Sequence, residues 1–200
     1  MKPFLRFPGG KSKQVQKILQ YFKLVENEYR EPFIGGGSVY LGGEFQNAWI
    51  NDIDPGVYDL WRMVKEEPRV LIQLIKEHTL ILYSEKSLEL WKRIQRDLDF
   101  VPRGYRTLFL SKTCFNGVIN GGPIGGSEQS GRYKIYSRWA KNQTIQRIIK
   151  ANELLQNCKI TNLSWEDVVE ESGSDVVLYL DPPYLRFKSS YDEYDTVKQN

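Results

Sequence analysis

An α/β fold, a sheet domain carrying an inserted helical lobe, is what this sequence predicts, on three observations. A short apolar run, Tyr29 to Ile34, opens into Gly35, Gly36 and Gly37 and then a helix-like segment. About fifteen residues on, Ala48 to Asp54 reads as a second strand ending in acids. Val176 to Leu180 is a β-branched and apolar run that stops at Asp181, Pro182, Pro183 and Tyr184. Strands that end in glycines or carboxylates and alternate with helical segments are the pattern of a sheet with its ligands at the strand tips.

Each element has a local reason. Val15, Ile18, Leu19, Phe22 and Val25 recur at helical spacing, which predicts a first helix over about Ser12 to Asn27. Ser38 to Glu44 reads as a short helix opened by the glycine turn, and Pro55 to Glu67 as another with proline in its first turn. Leu71 to Leu82, Ser87 to Leu98 and Tyr105 to Phe115 read as helices that build the lobe. Asn116 to Gly126 is rich enough in glycine to be loop. Thr144 to Gln156 carries Ile145, Ile148, Ile149 and Leu155 on one side, and Lys159 to Leu163 reads as a strand. Ser164, Trp165, Glu166 and Asp167 have the Ser-x-x-Asp form of a helix N-cap. The expected division is 1–67 with 144–200 as the sheet domain and 68–143 as the insert.

Composition excludes several function classes. No apolar run is long enough to cross a bilayer, and the start of the chain is basic and lacks the apolar core of a secretion signal. Cys114 and Cys158 are the only cysteines and lack zinc-ligand spacing, which fits a reducing cytoplasm. The single histidine, His78, falls in a helical pattern and reads as structural. A Ser-His-Asp or metal-dependent hydrolase is hard to build from these residues.

The whole chain holds 28 basic and 25 acidic residues, yet residues 101–150 hold nine Lys and Arg against Glu128 alone. Residues 151–200 reverse the sign, with four basic and ten acidic residues. Such polarity points the middle segment at phosphates. Arg132, Lys134 and Arg138, interleaved with Tyr133, Tyr136 and Trp139, suit phosphate contact and wedging into a base stack.

The strand-end motifs carry the chemistry. Three consecutive glycines let a ligand approach the backbone amides without hindrance from Cβ atoms. Asp52, at the tip of the next strand, stands where α/β sheets hold a ribose, so the ligand implied is a nucleoside. Phe7, Pro8, Gly9, Gly10 and Lys11 form another glycine turn, with a ring and a cation beside it. Asp181 followed by two prolines and Tyr184 sets hydrogen-bond acceptors beside a stacking surface, which are the groups needed to grip a planar amine.

These blocks, Phe7 to Lys11, Glu31 to Tyr40 with Asp52, and Asp181 to Tyr184, closely resemble the Dam-like family of S-adenosylmethionine-dependent N6-adenine DNA methyltransferases. A fourth block, Lys112 to Gly117, is similar to that family's aromatic-Asn-Gly segment. The resemblance implies a Rossmann-like methyltransferase sheet whose helical lobe reads double-stranded DNA. It places Phe7 and Lys11 on the methyl donor, with Pro32, Phe33, Gly35 and Gly37 beside them, Asp52 on the ribose with Asp54 as a lesser candidate, and Asp181 at the junction of donor and acceptor. Catalysis falls to Asp181, Pro182, Pro183 and Tyr184, with no metal. Phe115 is then the residue that enters DNA, Asn116 helps place the backbone, and Asn120 stands where enzymes of the family acting on GATC carry an arginine.

One departure stands out: the chain ends sixteen residues beyond Tyr184, where family members continue. An incomplete sheet, an unprotected edge on strand 176–180 and low or no activity of the isolated chain are the expectations that follow. Methylation of cytosine N4 or of another planar amine or amide, and a non-catalytic DNA-binding remnant, are the alternative functions. A cognate restriction endonuclease is a possible partner.

Overall fold

A computed structural model describes residues 1–22, 28–43 and 45–183 of the protein. Its centre is a four-stranded parallel sheet in the order β3-β2-β1-β4, built from β1 (Tyr29–Glu31), β2 (Ala48–Asn51), β3 (Cys158–Thr161) and β4 (Val177–Leu178). Tyr29 pairs with Ala48 on one side and with Val177 on the other, while Ala48 pairs with Cys158. The chain steps outward from β1 through β2 to β3 and then crosses back to lay β4 on the opposite side of β1. That reversal opens a crevice beyond the carboxyl ends of β1 and β4, the place where open α/β sheets hold their ligands.

The strands are short but buried. All of β1 and β2 is inaccessible, including Arg30 in the middle of β1. The Arg30 guanidinium donates to the carbonyls of Val168, Glu171 and Ser172 and pairs with Glu28, at 2.6–3.0 Å. A buried cation is tolerable only when its donors are all used in this way, and here it ties the loop before β4 to the back of the sheet.

Eight helices accompany these strands among the described residues: α1 (Val15–Leu19), α2 (Ser38–Gly43), α3 (Pro55–Glu66), α4 (Pro68–Leu82), α5 (Ser87–Arg96), α6 (Arg103–Thr113), α7 (Lys141–Leu155) and α8 (Trp165–Glu170). The first is shorter than its apolar spacing predicts: regular helix ends at Leu19, and residues 23–27 lie outside the described set. Cys114 turns extended, so α6 stops there and Phe115–Gly117 forms a separate 3-10 turn, where a continuous helix through Phe115 was expected.

The helical segment is welded to the sheet domain by one continuous core. Helix α6 crosses α3 closely enough that a Cβ on Gly104 would lie 2.7 Å from the backbone of Asp59 and Leu60, so only glycine fits. The Asn152 side chain on α7 donates to the carbonyls of Val64 and Lys65 at the end of α3. Trp61, Tyr105, Phe109 and Trp139 fill the space between. His78 has the structural role expected of it: its Nδ1 lies 2.8 Å from the Tyr105 hydroxyl, within a cage that includes Phe100 and Phe109. Both cysteines are buried and free, and burial pushes each thiol up to about 11.

Candidate active site and nucleic-acid face

The carboxyl ends of β1, β2 and β4 bring the three sequence blocks together. After β1, the chain turns at Gly35 (φ +43°) and Gly37 (φ +63°), with the Gly37 N–H bonded to the Ile34 carbonyl at 2.7 Å. Large rings hold this turn on both sides. A Cβ on Gly35 would touch the Phe7 ring at 3.0 Å, and one on Gly37 would meet the Trp61 indole at 2.3 Å. The Trp61 indole N–H also donates to the Gly35 carbonyl at 3.0 Å. Phe7 thus packs directly on the triple glycine.

Asp52 lies one strand away. Its carboxylate accepts the Gly35 N–H at 2.8 Å and the Asp54 N–H at 3.0 Å, which locks the glycine turn to the tip of β2. Burial pushes its carboxyl up to about 7, against these two N–H groups, which favour the ionised form. Behind it, Glu31 at the end of β1 accepts the Tyr29 hydroxyl at 2.6 Å and the Tyr40 N–H of α2 at 3.2 Å. Burial pushes Glu31 up to about 8, and those hydrogen bonds oppose the rise. Pro32 contributes its carbonyl, which accepts the Asn51 side-chain amide at 3.1 Å. Asp54, a lesser ligand candidate on sequence grounds, is instead the N-cap of α3, accepting from the Gly56 N–H at 2.7 Å and the Val57 N–H at 3.2 Å.

Asp181 completes the cluster. The Val177 and Tyr179 N–H groups bond to the carbonyls of Glu28 and Arg30, which carries the chain past β1 and delivers Asp181 to the same edge. The Lys11 ammonium lies 2.8 and 2.6 Å from the two Asp181 carboxylate oxygens and 3.0 Å from the Gly9 carbonyl. One short turn, Phe7 to Lys11, therefore touches the triple glycine with its ring and the Asp-Pro-Pro segment with its cation. Pro182 and Pro183 stand exposed at the rim, and Tyr184 lies outside the described residues.

One aromatic at this edge is absent from the sequence-based site. Trp165, the first residue of α8, stacks on Phe33 with ring centroids 6.2 Å apart and remains partly exposed. Its signal in the sequence was position alone, four residues past the end of β3. The capping pattern drew attention instead to Ser164, but that hydroxyl makes no cap bond and contacts the Glu166 carboxylate.

The residues expected to meet nucleic acid begin next to this edge. Phe115 is 65% exposed on the 3-10 turn, and Asn116 adopts a left-handed conformation at φ 53°. An open cleft of about 670 Å³ runs between Asn116 and the turn from Arg6 to Gln14, joining the donor-side block to the insert. Asn120, Arg132 and Arg138 are exposed, whereas Lys134 is half-buried and donates to the Gln129 carbonyl of its own loop. The basic segment is not uniformly a solvent face: Arg103 pairs with Asp59, Arg106 donates to the Gln95 carbonyl, and Lys112 is buried. Among the described residues, no cluster of His, Cys, Asp and Glu is arranged to hold a metal ion, and no helix is long and apolar enough to cross a membrane.

Comparison with known proteins agrees with this geometry. The profile of the D12 class N6 adenine-specific DNA methyltransferases matches residues 7–200. A type II methyltransferase of Methanocaldococcus jannaschii, M.MjaIII, is 31% identical over 98% of this chain and 75% of its own length. The type II methyltransferase M1.LlaDCHI of Lactococcus lactis subsp. cremoris is 29% identical over 92% of this chain and 66% of its length. The DNA adenine methylase of Vibrio cholerae is 27% identical over 92% of this chain and 65% of its length. The chain thus spans about two thirds to three quarters of the length of these relatives. It belongs to the D12 class family of N6 adenine-specific DNA methyltransferases.

Proposed function

We propose that this chain binds S-adenosylmethionine across the carboxyl ends of β1, β2 and β4 and methylates the N6 amine of adenine in double-stranded DNA. The observation that supports this most is the bridge from Lys11 to Asp181, because it puts the amine-gripping carboxylate and the glycine turn at one edge. The residues present fit the donor: a buried carboxylate for ribose hydroxyls, a backbone turn free of side chains, and the half-buried Phe33 and exposed Trp165 rings for a purine.

S-adenosylmethionine supplies an electrophilic methyl on a positively charged sulfur. The protein does the rest by placement. Asp52 accepts the ribose hydroxyls, Gly35 to Gly37 admit the methionine portion, and Lys11, drawn from its bridge to Asp181, meets the donor's carboxylate. Adenine N6 is a poor nucleophile because its lone pair is delocalised into the ring. Hydrogen bonds from its two N–H groups to the Asp181 carboxylate and the Pro182 carbonyl localise that pair on nitrogen, and one proton leaves the nitrogen as the methyl group arrives. Alignment of this kind supplies up to about 7–11 kcal/mol of a barrier. The target base must leave the duplex at a cost of a few kcal/mol. Tyr184 stacking on the extruded ring offsets about 1–3 kcal/mol of it. Phe115 fills the stack left behind, while Asn116, Asn120, Arg132, Lys134 and Arg138 hold the duplex. In this reading residues 68–143 are the target-recognition region, the site of action is the cytoplasm, and a cognate restriction endonuclease is the partner enzyme.

The test is product identity. Duplex DNA incubated with the protein and methyl-labelled S-adenosylmethionine, then digested to nucleosides, is expected to carry whatever label is transferred, however slowly, in N6-methyladenine. Label in N4-methylcytosine would overturn the reading.

A further inference from the structure

Arg30 is 2% exposed in the middle of β1, and its guanidinium commits all five N–H donors. Nε and Nη2 bond the Glu28 carboxylate at 2.9 and 3.0 Å. Nη1 bonds the carbonyls of Val168 and Glu171 at 3.0 and 2.6 Å, and Nη2 bonds that of Ser172 at 3.0 Å. Three carbonyls at the end of α8 and in the turn after it thus converge on one side chain. The guanidinium also lies over the Trp49 ring, 5.1 Å from its centroid, which seats it on β2. The turn closes tightly on this cation: a Cβ on Gly173 would lie 2.6 Å from Nη2 and 2.6 Å from a Val176 methyl carbon.

That turn leads into the segment carrying Asp181. None of residues 171–180 is buried, and only Val176, Val177 and Tyr179 are half-buried. Strand β4 is two residues long, tied to β1 by the Val177 and Tyr179 N–H groups at 2.8 and 2.9 Å, with the Tyr179 ring edge-on to Phe22. Burial of apolar surface therefore does little to fix where Asp181 stands, and the polar tie from Arg30 does more. The donor side is fixed by other groups. The Asn51 side chain bonds the Pro32 carbonyl and both the N–H and the carbonyl of Leu163, at 2.8–3.1 Å. The Asn162 amide bonds the carbonyls of Asp52 and Ile53 at 2.7 and 3.0 Å. Replacing a buried, paired cation with an apolar side chain is often neutral for stability, so stability alone does not account for Arg30. An apolar side chain could not hold the carbonyls of the turn.

We propose that Arg30 is a positioning residue for methyl transfer: its guanidinium clasps the turn from α8 into β4 and so sets Asp181 and Pro182 against a donor held on β1 and β2. This rests on the DNA-methylation reading above, which gives Asp181 and Pro182 their roles but not what holds them in place.

The experiment compares Arg30→Met, Arg30→Lys and Gly173→Ala with the wild-type 200-residue chain by amide hydrogen exchange, S-adenosylmethionine titration and methyl transfer to duplex DNA. In Arg30→Met the Val177 and Tyr179 N–H groups are expected to exchange more than about tenfold faster. The Gly35 and Asp52 N–H groups and the donor affinity should stay as in the wild type. Transfer should fall about 100-fold, the scale of a displacement of about 1 Å at the reacting groups. Arg30→Lys, which keeps the charge without the planar fork, should fall between the two. Gly173→Ala leaves the guanidinium in place and pushes the turn off it. It should show the same split, and it carries the test if Arg30→Met does not fold. Exchange that quickens equally at all four amides, with donor affinity lost, would make Arg30 a general core residue and overturn the proposal. So would β4 amides as protected as in the wild type. If the wild type transfers no label, exchange and donor binding decide by the same criteria. N6-methyladenine formed at equal rates by the wild type and Arg30→Met would overturn the clasp and leave the enzymatic reading standing. Label in N4-methylcytosine, with transfer and β4 protection both lost in Arg30→Met, would do the reverse.

Discussion

Replacing Gly37 with alanine probes the glycine turn where geometry sets the magnitude. The new Cβ would lie 2.3 and 2.5 Å from two atoms of the Trp61 indole, a fully buried ring whose N–H is committed to Gly35. That ring cannot rotate away, and overpacking of this kind costs about 1–3 kcal/mol. The backbone φ of +63° adds about 1–2 kcal/mol for any residue with a Cβ. Together these amount to about 2–5 kcal/mol, or roughly a 4–20 °C fall in unfolding temperature for a protein of this size. Gly36→Ala is the matched control. Its Cβ would meet the Phe7 Cβ at 3.2 Å and the Leu5 carbonyl oxygen at an ordinary 3.8 Å, on an ordinary backbone, so a change within about 1.5 kcal/mol is expected. Differential scanning fluorimetry with and without S-adenosylmethionine reads both effects. If Gly37→Ala melts with the wild type and binds the donor equally well, the packing of the turn described here is wrong.

Three further outcomes are expected. Asp181→Ala should abolish methyl transfer while leaving duplex affinity intact, as measured by labelled transfer and fluorescence anisotropy, and loss of both would mark Asp181 as structural. Glu31 holds its proton to about pH 8 when folded against about 4.5 as an isolated side chain, so the folded state binds the extra proton between those values. Its contribution is complete below about 4.5 and is lost as pH rises to about 8. Asp52 acts in the same direction, up to about 7. The unfolding temperature of Glu31→Gln should therefore gain on the wild type across that window, and parallel curves would contradict the assignment. Asp54→Ala should cost about 1 kcal/mol in urea unfolding through loss of the α3 cap, with the S-adenosylmethionine affinity retained, whereas loss of that affinity would return Asp54 to the donor site.

The parts of this site that could be read from sequence are those whose meaning is local. Three glycines in a row, an acid at a strand tip and an acid before two prolines each state a backbone requirement within a few residues, and their shared edge follows from strand polarity. What escaped depends on partners far along the chain. Arg30 looks like a surface strand residue until Val168, Glu171 and Ser172 supply its acceptors. Trp165 carried no local mark beyond a cap-like neighbourhood whose serine turned out not to cap. Helix α1 had the right apolar spacing but no boundary signal near Leu19. Asp54 shows the opposite error: it precedes Pro55 and Gly56, and that local pattern specified a helix cap rather than a ligand.

The central claim is that one donor nucleoside spans Asp52, the triple glycine and Asp181. A crystal structure of the protein with S-adenosylhomocysteine tests it most directly. The ribose hydroxyls should lie about 3 Å from the Asp52 carboxylate, with the purine against Phe33 and Trp165 and the sulfur facing Asp181. A ligand bound elsewhere, or one whose sulfur points away from Asp181, would contradict it.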